Sequence, residues 1–252
     1  MPSANPLKRA LVEGKKQVGF WLSAMSPVCT EISAGAGFDW LLIDMEHTGN
    51  EVGDVAHALR AAVGGTAEPV VRVPWNDHVM VKRLLDQGTR SLLFPYIESA
   101  EEAREAVAAT RYPPHGVRGY AGTTRATNYG RRKDYSKTVH DEICVLLQVE
   151  SPTALAAIPE IGAIDGVDGI FIGPNDLAAN SGFLGNAAAP EMKAAILEGL
   201  KRIKATGKAA GTLNYREDEA KTLFDAGFQF IAVGGDVGAL AREADRIAKA
   251  FK

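Results

Sequence analysis

Cysteine is nearly absent from this chain, with only Cys29 and Cys144 among its 252 residues. The two lie far apart in apolar surroundings, which favours packing roles over a disulfide or a nucleophile and indicates a reducing compartment. The N-terminal stretch lacks the apolar core of a signal peptide, and no run approaches the ~20 apolar residues that span a bilayer. We therefore expect a cytoplasmic protein without a membrane partner.

A basic excess is also lacking, since the formal net charge is −3 and the isoelectric point is about 6.0. This balance provides no field for nucleic acid, so small-molecule partners are expected. Three motifs are missing: the GxSxG elbow of serine hydrolases, the P-loop of nucleotide kinases and the glycine fingerprint of dehydrogenases. Within the predicted strands, lysine occurs only as Lys208, at the opening end of the seventh, which argues against imine-forming catalysis.

What the sequence does contain is a regular alternation of short apolar runs and amphipathic segments. The apolar runs predict eight strands, at residues 17–23, 39–46, 68–74, 91–97, 144–150, 169–176, 208–213 and 228–234. Segments with apolar residues three or four apart predict helices at 52–63, 79–87, 100–110, 191–204 and 217–226. Strands that are almost wholly apolar are typical of a parallel sheet covered by helices.

Eight such units predict an α/β fold, a (β/α)8 TIM barrel that forms a single domain over residues 1–252. An open doubly wound sheet is the alternative, but the glycine fingerprint that it favours does not follow the first strand. A helix at 6–13 is expected to close the bottom of the barrel, and 237–251 to form the final helix. The irregular stretch 111–141 is either a functional lid or interface loop, or a solvated excursion.

Acidic residues end two consecutive strands, Glu150 in CVLLQVES and Asp176 in GIFIGPND. Strand ends meet at the top of a barrel, where neighbouring parallel strands are ~4.8 Å apart, so both carboxylates can hold one cation. Two carboxylates with substrate and water oxygens suit Mg2+ or Mn2+. The alternative is that each acid caps the helix that follows it.

Arg72, His47 and Asp44 are further candidates at strand ends. Arg72 lies in the apolar run EPVVRVPW and needs an anion if it points inward, because an unpaired buried charge is costly. That anion is a substrate, or else Asp44 or Glu46 on the neighbouring strand. His47 is the one histidine at a strand's C-terminal end, and Asp44 three residues earlier suits an acid–base dyad. A structural role for His47 is the alternative.

Several motifs, in order over almost the whole chain, resemble the HpcH/HpaI aldolase family of metal-dependent pyruvate aldolases. They are AGAGFDWLLIDMEH (34–47), VVRVPWND (70–77), LLDQGTRSLLFPYIESAEEA (84–103), GVRGY (116–120), QVESPTAL (148–155) and DGIFIGPNDLAAN (168–180). The resemblance implies a (β/α)8 barrel whose eighth helix is exchanged between subunits, commonly in a hexamer. It also implies a divalent cofactor, Mg2+, Mn2+ or Co2+, held by Glu150 and Asp176.

The same resemblance implies roles for other residues. It implies that Arg72 binds the keto oxygen of pyruvate and that His47 with Asp44 serves as the acid–base dyad. Asp86 matches a position that reaches the site of a neighbouring subunit. The substrate-positioning residues that it implies are Gln148, Gly173, Pro174 and Asn175. Met45 and Asn175 replace a glycine and an alanine that are usual in the family, which bears on substrate preference.

Together these residues predict a lyase. It is a metal-dependent aldolase that reversibly cleaves 4-hydroxy-2-oxo acids to pyruvate and an aldehyde, through a pyruvate enolate stabilised by the metal and Arg72. The expected base is metal-bound water or hydroxide assisted by His47. Residues of the upper loops, including the neighbourhood of Leu213, are expected to recognise the aldehyde.

Three alternatives remain open. They are a citryl- or malyl-CoA-type lyase on the same barrel, a phosphosugar isomerase that uses Gly234 and Gly235 as a phosphate cradle rather than as a tight turn with positive φ, and a non-catalytic ligand-binding barrel. The first needs a surface for CoA, and no basic groove for one is obvious in the sequence. The isomerase and the binding module both predict indifference to chelation, so removal and return of the metal distinguishes them from an aldolase.

Overall fold

The eight predicted strands form, with ends that differ from the prediction by a few residues. The computed structural model describes residues 5–252, so residues 1–4 of the predicted domain lie outside the described residues. The strands are β1 (Gln17–Leu22), β2 (Trp40–Asp44), β3 (Glu68–Arg72), β4 (Ser91–Phe94), β5 (Cys144–Val149), β6 (Gly169–Ile172), β7 (Ala209–Leu213) and β8 (Phe230–Gly235). They pair in parallel and in chain order, and β1 also pairs with β8. The closed barrel is confirmed, and the open-sheet alternative is wrong.

Helices surround the barrel. They are α1 (Pro6–Val12), α2 (Pro27–Ala34), α3 (Val52–Ala61), α4 (His78–Asp86), α5 (Ala100–Thr110), α6 (Tyr135–Glu142), α7 (Pro152–Ala156), α8 (Ile158–Gly162), α9 (Pro174–Asn180), α10 (Pro190–Ala205), α11 (Glu217–Ala226) and α12 (Asp236–Ala250). The helices predicted at 100–110 and 217–226 have the predicted bounds. The stretch 111–141 is less irregular than expected, because α6 begins within it.

Side chains alternate along each strand between the barrel interior and the layer under the helices. The interior cluster includes Leu42, Val70 and Leu146. The outer cluster includes Leu41, Val71 and Leu147. Two residues further along the same inward rows come Asp44, Arg72 and Gln148, all buried. The strand period therefore aims these polar groups into the top of the barrel.

The lower half of the barrel is filled with aromatic and aliphatic side chains. The Trp40 ring occupies the space beside Gly19, where a Cβ atom would lie 2.0 Å from it. The same ring contacts that of Phe230 edge-on, with centroids 6.1 Å apart. Leu7 and Leu11 of α1 pack into this interior cluster from below. The expected closure of the bottom by the first helix is confirmed.

Two expectations about strand ends are wrong. The sixth strand was expected to run to Asp176 but ends at Ile172, because Pro174 begins α9. Proline is favoured at the first helical position, where its missing N–H is not needed. Asp176 thus lies in the first turn of a helix. Gly234 and Gly235 end β8 in extended backbone, with Gly235 at φ −152°, so no left-handed turn forms there.

Within residues 5–252, no helix combines the length and the apolar character needed to cross a membrane. Cys29 and Cys144 are free thiols, and Cys144 is buried. The cytoplasmic location stays a prediction.

Candidate active site

Asp44 and Arg72 form a buried ion pair at the top of the barrel. They are register partners on β2 and β3. Arg72 Nε donates to Asp44 Oδ1 at 2.9 Å, and Nη2 donates to Oδ2 at 2.7 Å. Its third nitrogen, Nη1, lies 2.6 Å from Glu46 Oε2. The interpretation that Arg72 pairs with Asp44 or Glu46 is therefore confirmed for both carboxylates.

The Trp21 side chain completes this cluster from β1. Its indole N–H donates to Asp44 Oδ2 at 3.1 Å, and the Arg72 guanidinium lies over its ring at 4.8 Å. Burial raises the pKa of Asp44, but the hydrogen bonds and charge of Arg72 outweigh it and hold the pKa below its usual value. Asp44 is therefore a fixed anion that orients the guanidinium.

Glu150, one residue beyond β5, is buried and held at both oxygens. Oε1 accepts from the backbone N–H of Tyr96 at 2.9 Å, and Oε2 accepts from Gln148 Nε2 at 2.6 Å. Burial raises the pKa of Glu150 to about 7, with further upward contributions from the charges of Asp176 and Glu46. Neighbouring negative charges make the ionised form of a carboxyl group unfavourable, and a cation bound between the carboxylates stabilises that form.

Gly173 supplies the room that Glu150 needs. A Cβ atom at this position would lie 2.3 Å from Glu150 Oε2. Gln148 lines the open cavity, and its buried Oε1 has no hydrogen-bond partner in the described part of the chain. Oxygen donors and a spare amide oxygen at one strand end suit a hard cation and an oxygen-rich ligand.

The chemistry of these donors fits a divalent ion. Among residues 5–252, no group of three or more histidine, cysteine, aspartate or glutamate side chains is arranged to hold a metal. The carboxylates available at this point are Glu150 and Asp176, which leaves the other positions of an octahedral ion to substrate and water oxygens. The alternative that Glu150 caps the next helix is wrong, because the Ser151 hydroxyl caps α7.

His47 lies at the mouth of the site rather than inside it. Its side chain is 62% exposed, and Nε2 lies 3.9 Å from Glu46 Oε2. Asp44 contacts His47 through the backbone N–H, at 3.5 Å from Oδ1. The predicted dyad needs correction: the Asp44 carboxylate is committed to Arg72, and the carboxylate beside the imidazole is that of Glu46.

A cavity of about 860 Å³ opens above these groups. The predicted site residues that line it are Asp44, His47, Arg72, Gln148, Gly173, Pro174, Asn175, Asp176 and Leu213. Asp86 lies elsewhere, at the end of α4, where its Oδ1 accepts from Nη2 of the buried Arg118 at 3.1 Å. The structure thus brings together all the predicted residues except Asp86, with Glu150 directly beneath Gly173.

Sequence reasoning missed the contributions of Glu46 and Tyr96 to the carboxylate cluster. Glu46 was considered as a partner of Arg72 only. Its position two residues after Asp44 was a signal, because residues two apart on a strand share a face. Tyr96 has φ 56°, an uncommon conformation outside glycine, and this aims its N–H at Glu150. No pattern in the sequence signals that geometry.

Comparison with known proteins identifies the family. The family model described as HpcH/HpaI aldolase/citrate lyase matches residues 17–243. A 4-hydroxy-2-oxo-heptane-1,7-dioate aldolase of Shigella sonnei is 47% identical, over 98% of this chain and 95% of its own length. A hydroxypyruvate/pyruvate aldolase of Cupriavidus necator is 46% identical, over 100% of this chain and 94% of its own.

A solved structure agrees with these relatives. The crystal structure of a family protein from Burkholderia cenocepacia J2315 superposes with a TM-score of 0.95 at 40% identity, covering 98% of this chain and 99% of that one. The chain described here belongs to the HpcH/HpaI aldolase/citrate lyase family.

Proposed function

We propose that this protein is a divalent-metal-dependent aldolase that reversibly cleaves 4-hydroxy-2-oxo acids to pyruvate and an aldehyde. The observation that carries the proposal is the placement of Arg72 and of the Glu150 and Asp176 carboxylates at the same end of the closed barrel. The relatives support it, since both are named as aldolases at 46–47% identity over nearly the full chain.

Glu150 and Asp176 are the residues that would hold the metal. When bound there, Mg2+, Mn2+ or Co2+ supplies a Lewis acid that polarises the keto group of pyruvate. The tight fit of Glu150 against Gly173 supports this role, because it fixes the carboxylate in place before any ligand arrives. Gln148 orients the same carboxylate through its amide N–H, and its unpartnered Oε1 remains free to accept from a ligand.

Arg72 binds the keto oxygen and stabilises the negative charge that develops on it in the enolate. The guanidinium needs no rearrangement to do so, since Asp44 and Trp21 already fix its plane. The backbone at Gly173, Pro174 and Asn175, which lines the cavity, positions the carboxylate end of the substrate.

His47 handles the proton that leaves the pyruvate methyl group and returns to it. Its exposed imidazole lines the cavity, and its Nε2 lies 3.9 Å from Glu46 Oε2. Asp44 keeps Arg72 charged and oriented while this exchange takes place. The division of roles differs from a simple Asp44–His47 dyad, because Glu46 is the carboxylate near the imidazole.

We further propose that the protein acts as a cytoplasmic single-domain homo-oligomer. None of the residues of α12 is buried in the isolated chain, although Val237, Leu240 and Ile247 are large and apolar. A second copy is the natural cover for this face, with the eighth barrel helix exchanged between subunits of a hexamer. Asp86 then faces the site of a neighbouring subunit.

Hydrogen–deuterium exchange at the pyruvate methyl group tests the proposal. The protein is stripped with a chelator and then resupplied with Mg2+, Mn2+ or Co2+, and exchange is followed by NMR. Exchange that depends on the added metal supports enolate formation at this site. Exchange that fails with every metal contradicts the proposal.

A further inference from the structure

Tyr215 lies on the rim of the active-site cavity, two residues beyond the end of β7. Its side chain is 42% exposed and lines the same space as Asp44, Arg72 and Leu213. Residues that directly follow a barrel strand stand where substrates enter. Tyr215 belongs to the neighbourhood of Leu213 that the sequence predicts for the aldehyde, although no pattern in the sequence singles out this residue.

The hydroxyl group of Tyr215 leans across β8 towards β1. A Cβ atom built on Gly235 would lie 3.4 Å from Tyr215 Oη and 3.4 Å from Trp21 Cβ. The oxygen therefore lies beside the end of β8, next to Trp21, whose indole N–H donates to Asp44. Gly235 thus lies within van der Waals distance of both the phenol oxygen and Trp21.

This hydroxyl is available as a donor. Within the part of the chain that the structure describes, no group hydrogen-bonds to Tyr215 Oη. Burial raises the pKa of Tyr215 to about 12, and Arg72, Asp44 and Asp236 act on it through their charges. The phenol thus stays protonated under neutral conditions and has a hydrogen to donate into the cavity.

The cavity has two sides in the proposed reaction. Arg72 on β3, with Glu150 and Asp176 after β5 and β6, takes pyruvate on one side. Trp21, Leu213 and Tyr215 line the side formed by β1 and β7, and the cavity of about 860 Å³ has room there for a second molecule. An aldehyde on that side needs a donor for its oxygen, which becomes an alkoxide when the carbon–carbon bond forms.

We infer that Tyr215 is a catalytic residue whose hydroxyl donates a hydrogen bond to the aldehyde oxygen, which is the C4 oxygen of the hydroxy-oxo acid. The assignment rests on the proposed aldolase function and adds to it a residue for the second substrate. It accounts for an unpartnered phenol held over Gly235 at the mouth of the site. It also predicts that the two halves of the reaction respond differently to loss of one oxygen atom.

The test compares Tyr215→Phe with the wild type in two assays. The first is metal-dependent exchange at the pyruvate methyl group, which involves no aldehyde. The second is cleavage of 4-hydroxy-2-oxo-heptane-1,7-dioate with Mn2+. Tyr129→Phe, which removes the hydroxyl of an exposed tyrosine, is the matched control, and melting temperatures check folding. We expect cleavage by Tyr215→Phe to fall about 10²-fold, with exchange within about twofold of the wild type.

If the wild type exchanges pyruvate protons and Tyr215→Phe cleaves the hydroxy-oxo acid as fast as the wild type does, the role of Tyr215 is overturned. The proposed aldolase function is then unaffected. A parallel fall in cleavage and exchange would also overturn it, because the phenol would then serve the pyruvate half or the fold. A wild type that shows no exchange with any metal would overturn the aldolase function, and the role of Tyr215 with it.

Discussion

Arg72 and Asp44 face each other across the β2–β3 register and share two hydrogen bonds inside the barrel. Each buried charge is tolerated because the other is present, and Glu46 adds a third contact at 2.6 Å. A pair of this kind holds a guanidinium rigidly without neutralising its remaining N–H groups. It links the stability of the fold to the chemistry at its upper end.

Replacing Arg72 by alanine should damage both properties. We expect the rate of pyruvate methyl exchange to fall by about 10²–10⁴-fold, because a positioned cation at the keto oxygen is lost. The free energy of unfolding should fall by about 3–5 kcal/mol, because Asp44 is left as an uncompensated buried charge. Arg216→Ala, which removes an exposed arginine, is the control for urea unfolding and exchange. Near-normal exchange by Arg72→Ala would contradict the role.

The raised pKa of Glu150 predicts a pH-dependent penalty in the metal-free protein. Burial raises the pKa of Glu150 to about 7 in the folded chain, against an ordinary value of 4.5. Below the lower value both states are protonated and there is no penalty. As the pH rises from there to above 7, the unfolded state releases its proton more readily, so stability falls by at most about 3 kcal/mol for this group.

Glu150→Gln removes that titration. In chelator-treated samples, the variant should gain stability relative to the wild type between pH 5 and pH 8, measured by urea unfolding. Added Mn2+ should restore the stability of the wild type at pH 8 and have little effect on the stability of the variant. If the stability of the two proteins depends on pH in the same way, ionisation of Glu150 does not destabilise the folded chain.

Gly173→Ala should weaken metal binding without unfolding the barrel. The new methyl group would press on Glu150 Oε2, since a Cβ atom there lies 2.3 Å away. We expect the affinity for Mn2+ to fall by about 10- to 100-fold, the scale for disturbing groups that orient a ligand. Isothermal titration calorimetry of chelator-treated protein measures it. Gly53→Ala, on the open face of α3 with no atom within 4 Å of the new group, should leave affinity unchanged.

The apolar face of α12 predicts a subunit contact. Leu240 on this helix is 67% exposed in the isolated chain. Leu240→Glu should place a charge in the interface and shift the protein to smaller species, because an unpaired buried charge is costly. Sedimentation velocity measures the change, and Lys252→Glu at the chain end is the control. A Leu240→Glu protein with an unchanged sedimentation profile would refute the contact.

The sequence predicts the barrel because its strands are nearly all apolar and its helices are amphipathic. The hydrophobic patterns of the two kinds of element therefore differ clearly. It failed where loop backbone decides the geometry. The predicted end of β6 is misplaced because the apolar run GIFI was extended through GPND to the acid, although Pro174 already signals a helix start. The correction of the dyad required the register of β2 and β3, because it pairs Arg72 with Asp44, while Glu46 lies beside His47.

The Trp40 ring over Gly19, together with α1 beneath it, seals one end of the barrel. Reactants then reach the described active-site cavity from the opposite end, across the rim that holds His47 and Tyr215. The two ends of the molecule can consequently evolve at different rates. Substitutions in the closed lower half of the barrel alter thermal stability. Substitutions at the rim of the cavity alter substrate selectivity and leave the fold unchanged.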